Sequence, residues 1–229
     1  MARCARVDVG DHVFHVLNRA IGRLRIFETP ADYQLFLHLL AEAKEMTGVR
    51  VLSFTVMPNH WHLHLYPRHD GDMGEFMHWL TNAHTRRVHA FTQTTGAGPL
   101  YQGRYKSFLI QDDRHLLTVL KYIERNPVRA KLCKKVEDWP WGSAWIRAHG
   151  TQKQKQLLAE LPVPFPRDYR IWVNTPDKED DLQIIRGSVA KSAPFGQSGW
   201  VEQMVMMHKL EATMRGRGRP KGGNITTHV

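Results

Sequence analysis

His60, His62 and His64 occupy every second position of the segment HWHLHLY, residues 60–66. Side chains of an extended strand alternate between faces, so the three imidazoles share one face while Trp61, Leu63 and Leu65 take the other, toward the helices. Imidazole is a common ligand of divalent metals, and two rings at adjacent positions on one face can reach one ion. A lone histidine would read as the polar, solvent-facing side of an antiparallel sheet. An aligned pair beside the turn signal Pro58-Asn59 favours metal binding over that plainer alternative.

A second group lies on a helix expected over Asp112–Asn126, which Pro127 should stop because a residue before proline avoids the α region. At 100° per residue, Leu116, Leu120 and Ile123 form a core stripe, and Tyr122, Asn126, His115 and Thr118 lie on a different side. Tyr122 and Asn126 are neighbours at i and i+4. Tyrosine is among the side chains that form covalent intermediates, so Tyr122 could attack a phosphodiester and Asn126 could give a metal an oxygen ligand. Taken alone, this segment reads more readily as a half-exposed tyrosine and an asparagine that ends a helix.

The elements that must carry these residues follow from periodicity and turn signals. Strands are expected at His12–Asn18, Val49–Met57, His60–Tyr66 and Arg104–Ile110. Helices are expected at Ala31–Met46, started by Thr29-Pro30 and stopped by Gly48, and at Met73–Phe91. With the Asp112–Asn126 helix the order is β-α-β-β-α-β-α. Its first six elements match the split βαβ of a ferredoxin-like α+β fold with an antiparallel sheet. The chain divides into a core domain (1–150), a proline-containing linker (151–176), a small helical C-terminal region (177–214) and a basic tail (215–229) expected to be disordered in isolation. Helices near 177–191 and 199–213 form either a helix-turn-helix or an ordinary αα-hairpin.

Lys and Arg number 32 against 22 Asp and Glu, a net charge of +10 that makes nucleic acid the first candidate partner and a membrane surface the second. No stretch approaches the roughly 20 apolar residues of a membrane span, and the N-terminus has no apolar signal core. Cys4 and Cys133 fall in no CxxC pair and read as free thiols. A cytoplasmic protein without membrane contact is expected, associated with the nucleoid if DNA is the partner.

Three segments together resemble the HUH transposases, in which two histidines flank one hydrophobic residue. MPNHWHL at 57–63 looks like their MPNHxHL signature, YIERNPVRA at 122–130 is similar to their catalytic helix, and GRYKSF at 103–108 resembles the intervening strand. The resemblance runs from about His12 to Trp145 and points to the REP-associated tyrosine transposases. It implies an HUH endonuclease fold for the core domain. It further implies that His60, His62 and Asn126 hold Mg²⁺ or Mn²⁺ and that Tyr122 is the nucleophile. Cleavage of single-stranded DNA near palindromic hairpin repeats would then give a 5′-phosphotyrosine and a free 3′-hydroxyl, which can be rejoined. His62-Leu63-His64 is also His-hydrophobic-His, though Met57-Pro58-Asn59 favours the pair His60 and His62. Some relatives carry glutamine or histidine where Asn126 stands.

Arg104, Lys106, Arg86 and Arg87 are candidates for phosphate contacts, and Trp139, Trp141 and Trp145 for base stacking, although packing of a C-terminal segment suits these tryptophans better. Arg217-Gly218-Arg219-Pro220, flanked by Arg215 and Lys221, resembles an AT-hook, whose arginines fit the narrow minor groove of A·T-rich duplex. A relaxase or replication initiator would share the chemistry, but no GxxxxGK[ST] motif accompanies it here. A non-catalytic DNA-binding regulator on the same fold is the reading from another class. Monomer and homodimer both stay open.

Overall fold

The structure, a computed structural model, describes residues 6–215. Strands β1 (Val13–Arg19), β2 (Arg50–Met57), β3 (His60–Tyr66) and β4 (Lys106–Ile110) form one antiparallel sheet in the order β2-β3-β1-β4. Helix α1 (Pro30–Thr47) joins β1 to β2, and α2 (Asp72–Phe91) joins β3 to β4. This is the ferredoxin-like α+β core expected from the element order. Asp32 accepts hydrogen bonds from the Thr29 and Glu28 amides at the start of α1, and Gly48 ends it at φ 71°.

Each face of the sheet is covered by a different layer. Phe36, Leu39, Leu40 and Ala43 of α1 and Met73, Phe76, Met77 and Leu80 of α2 repeat with helical period. They pack on Phe14, Val16, Phe54, Val56, Trp61, Leu63 and Leu65. The opposite face carries the histidines, and it is not turned to solvent. Helix α3 (Arg114–Glu124) lies over it, packing Leu116, Val119, Tyr122 and Ile123 against Val13, Leu52, Phe108 and Ile110. A bulge in β2 makes this fit possible: the register shifts between Val51 and Ser53, so Leu52 and Ser53 both meet the α3 layer while Val51 joins the α1–α2 core.

The helix expected to run to Asn126 ends at Glu124 and the chain then resumes as α4 (Asn126–Arg129). Pro127 does break the hydrogen-bond ladder. It also sits in the first turn of the new helix, where its missing N–H leaves no bond unmade. The interruption leaves the carbonyl of Tyr122 without its helical donor, and the Arg129 guanidinium donates to it instead.

The remaining elements are α5 (Ser143–His149), α6 (Gln152–Lys155), α7 (Tyr169–Asn174), α8 (Glu179–Lys191), α9 (Ser198–Met207) and α10 (Glu211–Met214). Residues 151–176 are therefore no free linker: they hold two short helices and dock on the core. Val173 is fully buried, Ala159 donates its amide to Val51, and the Tyr169 hydroxyl donates to Glu124. Buried Glu124 also accepts from Ser143 at 2.6 Å and pairs with Arg147, which in turn donates to the Leu52 carbonyl at 2.8 Å. This cluster fastens the C-terminal end of α3 to α5 and α7. Along the outer edge of β2, Val56 donates to the Trp141 carbonyl, and Trp139 donates its indole N–H to Val56. Trp141 stacks on Tyr33 at 4.6 Å, so these two tryptophans pack rather than stand open.

The connection between α8 and α9 is bound to the sheet. Phe195 forms a parallel bridge with Ile110, accepting from Gln111 and donating to Leu109. Of the basic tail only Arg215 falls within the described residues, where it is exposed. Arg217, Arg219 and Lys221 lie outside them, as does Cys4.

Two expectations about stability follow. Glu124 is completely enclosed, so Glu124→Ala leaves Arg147 without its buried counter-charge and should cost about 3–5 kcal/mol in urea unfolding. On α2, buried His84 shares a hydrogen bond between Nδ1 and the Tyr101 hydroxyl (2.7 Å), and Tyr101 accepts from the Trp61 indole. Burial pushes the His84 imidazole down to about 3, below its unfolded value of about 6.5. Between these values the unfolded chain binds more protons, so this contribution is complete above pH 6.5 and is lost as pH falls toward 3. His84→Asn, which keeps an acceptor without titrating, should flatten the acid loss of stability by about 1.4 kcal/mol per pH unit in that window. Equal slopes for both proteins between pH 6 and 4 would refute this.

Candidate functional site

The strand register assembles the site in rows across the sheet. Thr55, His62, Leu17 and Lys106 form one row, with Ser53, His64, His15 and Phe108 on one side of it and Met57, His60 and Arg19 on the other. The His60 and His62 rings meet edge to face at 5.1 Å. Above them Tyr122 presents its ring edge-on to His62 at 5.9 Å and to His15 at 6.0 Å. Tyr122 is only 9% exposed and belongs to the apolar layer under α3, which corrects its assignment to a side away from the core. A helix pressed onto a sheet buries a wider arc than the three-residue stripe of Leu116, Leu120 and Ile123.

Hydrogen bonds fix the imidazoles. Asn59 donates from Nδ2 to the Arg23 carbonyl, which turns its Oδ1 toward His60 Nδ1 at 2.6 Å. An amide oxygen can only accept, so His60 carries its proton on Nδ1 and keeps a lone pair on Nε2. His62 Nδ1 lies 2.8 Å from Nε2 of His15, a fully buried histidine of β1. His64 Nδ1 meets the Ser53 hydroxyl at 3.3 Å, deeper in the sheet. The pair turned toward the open end is therefore His60 and His62.

All these rings are held neutral. Burial, reinforced by the Arg19 guanidinium, pushes His60 down to about 4. Burial first, and then His15, His60, Arg129 and Arg19, hold His62 well below the ordinary range. Burial brings His64 to about 3 and depresses His15 strongly. Neutral imidazole is the metal-binding form, so at physiological pH neither His60 nor His62 has to lose a net proton to meet a cation.

Asn126 lies one turn beyond Tyr122, and its side-chain amide nitrogen is buried without a partner among the described residues. The two ends of an amide are interchangeable in such a place, so either could face a ligand. The described residues contain no group of three His, Cys, Asp or Glu side chains able to hold a metal ion. Two imidazoles and an amide are an incomplete donor set for a closed Zn²⁺ site, and they leave room for Mn²⁺ or Mg²⁺ with water or a phosphate oxygen completing the shell.

Arginines surround the tyrosine. The Arg129 guanidinium sits over the Tyr122 ring, 4.4 Å from its centre. Arg129 and Arg125 both bond one carboxylate oxygen of Asp177 at 2.9 Å. Lys106 is exposed at the sheet edge in the His62 row, and exposed Arg104 precedes it; both line a cavity of 530 Å³ that also contains Arg6 and Lys191. Arg86 and Arg87 are exposed on α2, in the layer across the sheet from the histidines.

Sequence reasoning missed His15, Arg129 and Asp177. Arg129 stood in the quoted YIERNPVRA segment without a role. His15 and Asp177 carried no local signal, because register and C-terminal docking bring them in.

No helix among the described residues is long and apolar enough to cross a membrane. The sequence pattern of the family described as "Transposase IS200 like" matches residues 8–126, just over half of the chain. A REP-associated tyrosine transposase of Escherichia coli is 24% identical over 131 residues, covering 57% of this chain and 74% of the relative. A Haemophilus influenzae protein named for the same group is 28% identical over 134 residues, covering 55% and 68%. Among solved structures, a REP-associated tyrosine transposase bound to a REP hairpin superposes with a TM-score of 0.55 at 19% identity, over 72% of this chain and 93% of the other, a likeness of fold. The chain belongs to the IS200-like transposase family, with REP-associated tyrosine transposases among its relatives.

Proposed function

We propose that this transposase cleaves and rejoins single-stranded DNA at or near hairpin repeats, using Tyr122 as nucleophile with Mg²⁺ or Mn²⁺ held by His60, His62 and Asn126. The observation that carries this reading is the contact of Tyr122 with neutral His62, whose ring in turn meets neutral His60, a histidine with its tautomer fixed and Nε2 free to bind. A bound cation would polarise the scissile phosphate and ease loss of the phenolic proton. The Tyr122 oxygen attacks phosphorus, the bond to the 3′-oxygen breaks, and that oxygen takes up a proton. One phosphodiester replaces another, so a second 3′-hydroxyl can reverse the step without an energy source. Arg129, already over the tyrosine ring, is placed to offset charge at the phosphate.

The hairpin enters this reading because a relative of the same fold is bound to one. Lys106 and Arg104 line a cavity at the β4 edge of the sheet and would take backbone phosphates. Arg215, with Arg217, Arg219 and Lys221, would add affinity for duplex, including A·T-rich minor groove.

Incubating the protein with a panel of labelled single-stranded hairpins and Mn²⁺ should give a covalent adduct on a denaturing gel. Tyr122→Phe should abolish the adduct while leaving binding within about twofold. Tight binding with no adduct on any hairpin would favour a non-catalytic DNA-binding regulator. Lys106→Ala should weaken binding similarly across hairpin sequences and reduce the salt dependence, log Kd against log salt, by about one unit. An unchanged slope would remove Lys106 from the interface.

A further inference from the structure

We infer that His15 is a positioning residue for His62: its Nε2 accepts the Nδ1–H of His62, which leaves the lone pair of His62 Nε2 free for the cation. The inference rests on the proposed metal site at His60 and His62. In metal sites generally, the second nitrogen of a ligating histidine is held by a partner that fixes its tautomer and ring orientation. For His60 that partner is the Asn59 amide. For His62 no carboxylate, carbonyl or hydroxyl among the described residues bonds Nδ1; the hydrogen bond it makes is to His15, at 2.8 Å.

An imidazole partner differs from an amide oxygen because it can either donate or accept. If His15 donates from Nε2, His62 carries its proton on Nε2 and cannot ligate. If His15 accepts, His62 Nε2 is free and the proton of His15 rests on Nδ1. That atom is buried without a partner among the described residues. The two tautomeric arrangements therefore differ in metal competence, and a cation bound at His62 selects the second.

The geometry also holds His15 in place. Its ring lies nearly parallel to that of His62, at an interplanar angle of 11°. Phe108 meets it edge-on at 5.0 Å and Tyr122 at 6.0 Å. The side chain is fully buried at the centre of the sheet. One ring thus braces both the ligand and the nucleophile from below.

The test is Mn²⁺ affinity of the full chain without DNA, measured by titration calorimetry on wild type, His62→Ala, His15→Phe and His15→Gln. His62→Ala should abolish specific binding. His15→Phe keeps the aromatic volume but removes the acceptor, and should weaken Mn²⁺ by about 10–100-fold. His15→Gln, whose amide reaches near the place of Nε2, should recover most of that loss. Long-range ¹H–¹⁵N NMR with Mg²⁺ should place the His15 proton on Nδ1 and show its Nε2 as a hydrogen-bond acceptor, a signature that a packing role would not require. If His15→Phe unfolds, the glutamine variant and the NMR assignment still decide.

Wild-type affinity in His15→Phe, with binding lost in His62→Ala, would overturn the role of His15 and leave the metal site standing. So would a folded His15→Gln with no recovery of binding, or a His15 proton found on Nε2 in the metal-bound protein. Full affinity in His62→Ala would instead remove the metal site, and His15 with it.

Discussion

Four imidazoles, three from β3 and His15 from β1, lie on a sheet face that helix α3 closes off from water. Sealing them keeps them uncharged. It also obliges them to find hydrogen-bond partners inside the protein, since a buried polar group without one is costly. The partners come from the sheet and its turn: Asn59 for His60, His15 for His62 and Ser53 for His64. The bulge in β2 belongs to the same arrangement, because it lets Leu52 fill the apolar layer while Ser53 meets a histidine. An aromatic or aliphatic face would pack as well. Only the polar one leaves nitrogen lone pairs at the end where the cover stops.

Helix α3 must stay in place for this to hold, and its anchorage comes from beyond the ferredoxin-like core. The Glu124 cluster ties its end to α5 and α7, and Asp177 draws Arg125 and Arg129 together from the segment leading into α8. The same Arg129 caps the Tyr122 carbonyl and covers its ring. The position of the tyrosine is therefore set partly by residues some fifty positions later in the chain. This gives residues 169–191 a function that their composition does not announce.

The strands and helices that carry the candidate residues were legible because their signals are local. Alternation in HWHLHLY gave β3 its two faces and its bounds, and Thr29-Pro30 and Gly48 bracketed α1 to within a residue or two. Non-local choices were not legible. Nothing in the spacing of Tyr122 and the leucines tells that α3 lies on the histidine face and buries the tyrosine. Pro127 signals a break, yet whether the chain turns away or restarts as α4 depends on Arg129 reaching back to the freed carbonyl. Residues 151–176 looked like a linker because the prolines of LPVPFP at 161–166 disfavour regular structure. The partly buried Tyr169 and fully buried Val173 that pin the segment lie just beyond it.

The edges of the sheet have a consequence for how the molecule can meet other chains. On the β2 side, backbone groups of residues 51, 52, 54 and 56 are engaged by Ala159, Arg147, Ser143, Trp139 and Trp141. On the β4 side, Phe195 occupies the positions around Leu109 and Gln111. A visiting strand that sought to extend the sheet would find, among the described residues, a rail only along the beginning of β4, where Lys106 stands exposed. Edge-on pairing between copies is thus confined to a stub two or three residues long, flanked by like charges. The surface left for encounters is one that repels its own kind and welcomes a polyanion.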